Sequence, residues 1–281
     1  MSTTEKEIDP PLPFRILRWL VFWVGDTRRI AHFPWITWDV HQHRIDLNEV
    51  MLEAVPLLEP GDLVLHRDDG FLSNAFIGGA MIHAGLYVGG QQVVEAVSEG
   101  VVKRHAGHIL YSDRACILRP RFPDGVSREK AVAEAIEWAE KIVGFPYDIL
   151  FQFNGQKERE LVARHGKDAP KKGVRFCCTE VPYFCYHPYR EALGIKRTRN
   201  VTFLTRLLSL VGLSPGRAVI NADMYMTAGF DLVWCSRELT VAWSKKRRVS
   251  AEHQRRLSDY WERREAAARL PPARDDERRV A

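Results

Sequence analysis

The residues best equipped for chemistry crowd into "VRFCCTEVPYFCYH", Val174 to His187, which holds three of the chain's five cysteines. Three chemistries compete for Cys177, Cys178 and Cys185: a metal site shared with His187, a disulfide, or a single nucleophile among bystanders. The spacing C-C-x6-C-x-H lacks the paired C-x2-4-C ligands of structural zinc, in which the intervening residues let both sulfurs converge on one ion. A disulfide between Cys177 and Cys178 closes a strained eight-membered ring. A nucleophile asks for a thiol in an electropositive place, a base, and a group that orients the base. A helix beginning near Cys178 supplies the first through its unpaired N–H groups and dipole, and Pro182 is tolerated in the opening turn. Only one of two neighbouring thiols faces such a site. Cys185 falls on nearly the same helix face as Cys178 and reads as packing.

The best base is His83 in "MIHAGLYV", a strand-like run of small and apolar residues. Alone it is as well explained as a satisfied core histidine. Its companion is Glu95 in "VVEAV", another polar residue in an apolar strand, twelve positions later. Whether the two meet depends on the turn around Gly89-Gly90. A three-residue loop, Gly89-Gly90-Gln91, pairs Gly85 with Glu95 and puts His83 and Glu95 on one face. A strict Gly89-Gly90 turn puts them on opposite faces, and the sequence allows both. His66, His105, His108, His165 and His187 sit in polar or turn-like settings and carry no catalytic signal. Cys116 and Cys235 read as small core residues.

The elements that must position these groups begin at "LEPGDLVLHR", where turn chemistry at Pro60-Gly61-Asp62 precedes a short buried strand. Two strands flank Gly89-Gly90, "RACILRPR" is another, and "DLVWCSREL" a late one. "SREKAVAEAIEWAEKIVG" is the clearest helix, with Ser127 as its cap and Gly144 as its stop. Residues 151–173 read as an exposed polar excursion, and "VTFLTRLLSLVGL" as helical. The domain proper spans 56–240. Residues 1–55 form an N-terminal extension, and 241–281 a basic helical tail with a disordered end. In that tail Val249, Leu257, Tyr260, Trp261 and Ala268 make a thin apolar stripe, which suits a helix packed along one edge of the domain.

Twelve of the 41 Lys and Arg and seven of the 36 Asp and Glu lie from Val241 onward, which leaves 29 of each sign in the body. A dedicated nucleic-acid protein usually carries its basic surface on the folded part, and this neutral body gives no such signal, so no nucleic-acid partner is expected. The odd, scattered cysteines exclude a disulfide scaffold and fit a reducing, cytoplasmic compartment. "FRILRWLVFWV" (Phe14–Val24) is apolar but about half the ~20 residues that span a bilayer. It packs on the domain or lies in a membrane interface, and with the basic tail it offers two contacts to an anionic surface.

"EPGDLVLHR", "IHAGLYVGGQQVVEAVSEGV", "GFPYD" and "FCCTE", in that order, resemble the YiiX/YebB-like cysteine hydrolases. These are circularly permuted papain-like proteins of the NlpC-related superfamily. The resemblance covers about Leu58 to Phe230. It implies an α+β fold with an antiparallel sheet packed against a cysteine-bearing helix. It carries the nucleophile onto Cys178, which Thr179-Glu180 follow, the base onto His83 and the orienting carboxylate onto Glu95. The extra Cys177 and the segment 151–173 depart from the pattern. The implied activity is a thiol hydrolase or acyltransferase that works on an amide or ester bond of a peptide or lipid-linked substrate through an acyl-enzyme, with no metal and no cofactor. The rival readings are a catalytically silent binding module of the same fold and a membrane-surface scaffold.

Overall fold

In "LVLHR" the side chains alternate between two buried environments, Leu63 and Leu65 on one side and Val64 on the other. Neighbouring strands repeat the pattern: Ala84 and Leu86 against Tyr87, Val94 and Ala96 against Val93, Cys116 and Leu118 against Ala115 and Ile117. A period of two with both faces apolar is the mark of a strand covered on both sides. The computed structural model describes Trp19 and residues 43–69, 71, 79–148, 155–196, 222–239 and 251–269. Within them β1 (Leu63–Arg67), β2 (His83–Gly89), β3 (Gln92–Val97), β4 (Gly100–His105), β5 (Arg114–Pro120) and β6 (Phe230–Cys235) form one antiparallel sheet in the order β4-β3-β2-β1-β5-β6. The class is α+β.

The β2–β3 hairpin combines features of both expected turns. Gly90 and Gln91 are the central residues, left-handed at φ +58° and +61°, as the two-residue turns that suit strand twist require. Gly89 pairs with Gln92, but the register shifts at Val88, so that Tyr87 faces Val93 and Leu86 faces Val94. One extra residue in β2 thus restores the face relation that a three-residue loop would give. Gly85 is needed here: a Cβ would lie 2.4 Å from Val93 Cγ1 and 3.2 Å from the Val94 carbonyl oxygen.

Asp62 ties down the entry to β1. Its fully buried carboxylate accepts from Glu59 N–H at 2.9 Å and from Arg119 Nε and Nη2 at 3.0 and 2.9 Å. Burial pushes this carboxyl up, and the Arg119 hydrogen bond opposes that shift.

α1 (Ala106–Leu110) and residues 45–54, which lie ahead of the expected domain start at 56, cover the Val64 face with Ile45, Val50, Ala54 and Ile109. α2 (Arg128–Ile142) covers the other face. Ser127 Oγ accepts from Lys130 N–H, Ala131, Ala135, Ala139 and Ile142 turn inward, and Gly144 follows the stop at φ +88°.

The expected exposed excursion at 151–173 is corrected over its described part. α3 (Gln156–His165) and a 3-10 stretch (Gly166–Lys172) pack on the core through Val162 and Ala169. The charges mislead because two of them, Glu158 and Arg159, turn inward. Arg159 is buried, donates to the Phe184 carbonyl at 2.8 Å and to Glu134 at 2.9 Å, and lies 4.0 Å over the Trp138 ring.

α4 (Glu180–Cys185) starts two residues beyond Cys178 and buries Val181, Phe184 and Cys185 against the Leu63 face. α5 (Ala251–Arg269) packs through Leu257 and Tyr260, while Arg256 binds the carbonyls of Thr227 and Phe230. The helix expected at Val201–Leu213 and the tail beyond 269 lie outside the described residues. So does Phe14–Val24, apart from a helical, exposed Trp19. No helix among the described residues is long and apolar enough to cross a membrane.

Candidate active site

Three polar side chains interrupt the Val64 face of the sheet. His66 and His83 stand directly opposite each other in the β1–β2 ladder, with ring centroids 4.5 Å apart. Extending the β2–β3 register from Leu86–Val94 brings Gly85 opposite Glu95, and the absence of a side chain at 85 leaves His83 and Glu95 as diagonal neighbours. His83 Nε2 and Glu95 Oε2 are 2.5 Å apart.

Glu95 is only 2% exposed, and burial alone would raise its pKa. The charge and hydrogen bond of His83, with His66 and Arg104, outweigh that and hold it below the usual carboxylate range. Arg104 Nε lies 3.7 Å from Glu95 Oε1. An ionised Glu95 accepts a proton-bearing Nε2, which leaves the His83 Nδ1 lone pair as the basic one.

The polar or turn-like setting expected for His66 is corrected: it lies within β1 with its side chain 17% exposed. Burial, reinforced by the charge of His83 and only partly offset by Asp68 and Glu95, lowers its pKa to about 4, so the ring is neutral at neutral pH. Its Nδ1 has no hydrogen-bond partner and lies 4.0 Å from Asp68 Oδ2, while Asp68 Oδ1 is 3.2 Å from His43 Nδ1. The available signal was parity: in "LVLHR" His66 is in phase with Val64, on a buried face.

The cysteine turn approaches from the other face. Glu180 Oε2 accepts from Cys177 N–H at 2.7 Å, Glu180 N–H donates to the Cys177 carbonyl at 3.1 Å, and Tyr225 Oη donates to the Thr179 carbonyl at 2.5 Å. These bonds close the turn at Cys177–Glu180 and pin it. Glu180 is fully buried, its Oε1 has no hydrogen-bond partner, and burial, with Cys177 and Asp148 adding, pushes it well above the usual carboxylate range.

The adjacent thiols part as expected. Cys177 points inward at 2% exposure, and burial, reinforced by the hydrogen bond and charge of Cys178, drives its pKa well above the ordinary thiol value. Cys178 is half-buried, and its Sγ donates to the carbonyl of Ile82 at 3.6 Å. Ile82 immediately precedes His83, so the sulfur lies at the head of β2. Tyr147, in the "GFPYD" stretch, hydrogen-bonds the same thiol, and burial, with the charges of Cys178, Cys177 and Glu180, holds its phenol well above the ordinary range. The structure therefore joins His83 to Glu95, adds His66 and Tyr147, and brings Cys178 to the residue before His83.

A cleft of about 810 Å³ opens elsewhere, between β6 and α5, lined by Trp234, Tyr260 and Arg256 among others. None of Cys178, His83 or Glu95 lines it, so its size says nothing about the chemistry.

No known family model and no curated protein matches the chain. Among solved structures it is similar to metalloprotein yiiX from Escherichia coli O157:H7, at 16% identity and a TM-score of 0.44, over 63% of this chain and 97% of that one.

Proposed function

We propose that the chain is a thiol hydrolase or acyltransferase of permuted papain-like architecture, with Cys178 as nucleophile, His83 as base and Glu95 as the group that orients the base. The supporting observation is the 2.5 Å bond between His83 Nε2 and a buried carboxylate, one residue along the backbone from the carbonyl that holds the Cys178 thiol. The Cys178 proton passes to His83 Nδ1, and the thiolate adds to the carbonyl carbon of an amide or ester. The developing oxyanion takes hydrogen bonds from backbone N–H groups of the cysteine turn and from Tyr147 Oη. Collapse expels the amine or alcohol, which leaves with the proton from His83, and a thioester remains on Cys178. Water, or an acceptor alcohol or amine, gives a proton to His83 and attacks the thioester; the acyl group departs and the thiol regains its proton. No step calls on a metal or an organic cofactor. Substrates of this reading are peptides or acyl-lipids, the latter favoured by an apolar Phe14–Val24 and a basic tail that would meet an anionic membrane.

The test is a matched pair of amide and ester activity-based probes, followed by peptide mapping. The proposal expects one label, on Cys178, lost in His83→Ala. A label that is absent, or that survives His83→Ala, overturns it. A second reading, a silent binding module, draws on one observation: the thiol donates to a backbone carbonyl rather than to the imidazole. It expects Cys178 to behave as an ordinary thiol.

A further inference from the structure

We propose that His66, His83 and Glu95 form a binding site for a zinc-like divalent cation, and that its occupancy switches the thiol site off by engaging His83. In the sequence the metal-like cluster is the cysteine segment, whose spacing does not suit an ion. The sheet builds a different one. One nitrogen from each ring and one Glu95 oxygen lie within 4.8 Å of one another. Tetrahedral zinc, with bonds near 2.0–2.2 Å, places its donors about 3.3 Å apart. Side-chain rotations of an ångström or so therefore suffice, with no movement of the ladder that sets His66 against His83.

The donor set selects the ion class. Two imidazoles and one carboxylate suit zinc and its first-row neighbours, whereas calcium and magnesium ask for oxygen alone. Three protein ligands leave a fourth position for water. Glu95 supplies one negative charge in a place only 2% exposed, and a cation there meets a carboxylate already desolvated by the fold. The outer partners fit the same reading. Asp68 lies 4.0 Å from the otherwise unpartnered His66 Nδ1, the position from which a carboxylate fixes the tautomer of a metal-bound imidazole. Arg104, 3.7 Å from Glu95, opposes a cation, but its side chain is 36% exposed and free to swing toward Glu99, 3.6 Å away. The same His83 cannot hold a metal and accept the Cys178 proton at once. The off-switch thus rests on the thiol reading above, whereas the metal site does not.

The experiment titrates the full-length protein, stripped with chelator, with Zn²⁺ alone against a chromophoric zinc indicator. Iodoacetamide labelling of Cys178 is followed in the same samples. The proposal expects one equivalent bound, affinity weakened more than about a hundredfold in both His66→Leu and Glu95→Gln, and no change in Cys178→Ser or in the control His105→Ala. Urea midpoints of the two ligand variants establish that they are folded. Co²⁺ in place of Zn²⁺ reports the coordination by its visible absorption, which should vanish in His66→Leu. Absence of stoichiometric binding, binding that survives both ligand variants, or binding lost in Cys178→Ser overturns the site. Bound zinc that leaves the labelling rate unchanged overturns the switch. An unactivated Cys178 in metal-free protein overturns the thiol reading and leaves the binding result to stand by itself.

Discussion

His66 makes the stability of this protein depend on pH in a window its sequence does not announce. The ring has a folded pKa of about 4 against the usual 6.5, because burial and the charge of His83 disfavour its protonated form. Between those values the unfolded chain binds a proton that the folded chain refuses, so stability rises with pH across the window and falls as acid is added. The whole shift corresponds to about 3.4 kcal/mol, of which about 2.5 kcal/mol is lost between pH 7.5 and pH 4.5. The side chain is 17% exposed, so solvent screening leaves most of that value in place. The assay is urea unfolding at both pH values, in chelator, for wild type and His66→Leu. Comparing the change with pH in each protein cancels the constant cost of the substitution. Wild type should lose about 2.5 kcal/mol more than the variant. Equal losses in the two proteins would refute a buried, neutral His66.

Glu95→Gln removes a charged hydrogen bond worth about 1.5–3 kcal/mol from the His83 imidazolium. It should slow iodoacetamide labelling of Cys178 at pH 6 by about ten- to hundredfold, read by peptide mass spectrometry. Arg119→Ala leaves the Asp62 carboxylate buried and unpaired and should cost about 3 kcal/mol in urea unfolding, with little effect on Cys178 labelling. Cys177→Ala should cost about 1–2 kcal/mol of stability while Cys178 labels at its wild-type rate; a lost label would move the nucleophile to position 177.

The strands were legible because both faces of the sheet are apolar, and a run such as "LVLHR" or "RACILR" has no other use for so many branched side chains. Ser127 and Gly144 bounded the longest early helix for the same local reasons. The turn was harder. Gly89, Gly90 and Gln91 permit several hairpins, and the one adopted moves the left-handed pair to Gly90-Gln91 and recovers the register with a bulge at Val88. No local propensity specifies that bulge. The match of β3 to β2 across the sheet does, together with the gap at Gly85. Residues 155–172 misled because surface-like charge hid Arg159, whose partners Glu134, Trp138 and Phe184 come from distant segments. His66 was missed for a related reason. A histidine among Arg67, Asp68 and Asp69 reads as polar surface until pairing with β2 turns it against His83. The residues by themselves leave Cys177 and Cys178 open and the resemblance selects Cys178; the structure adds the Glu180 carboxyl that pins the turn and the inward Cys177.

The central claim is that the sulfur at the head of β2 is activated by the His83 imidazole. It is tested most directly by the rate of Cys178 alkylation between pH 5.5 and 8.5, in wild type and in His83→Ala, resolved by peptide. An activated thiolate should keep wild-type labelling nearly level from pH 8 down to pH 6. The variant should fall roughly 80-fold over that interval, as an unperturbed thiol of pKa near 8.5 does. Wild type that falls as steeply as His83→Ala would contradict the account.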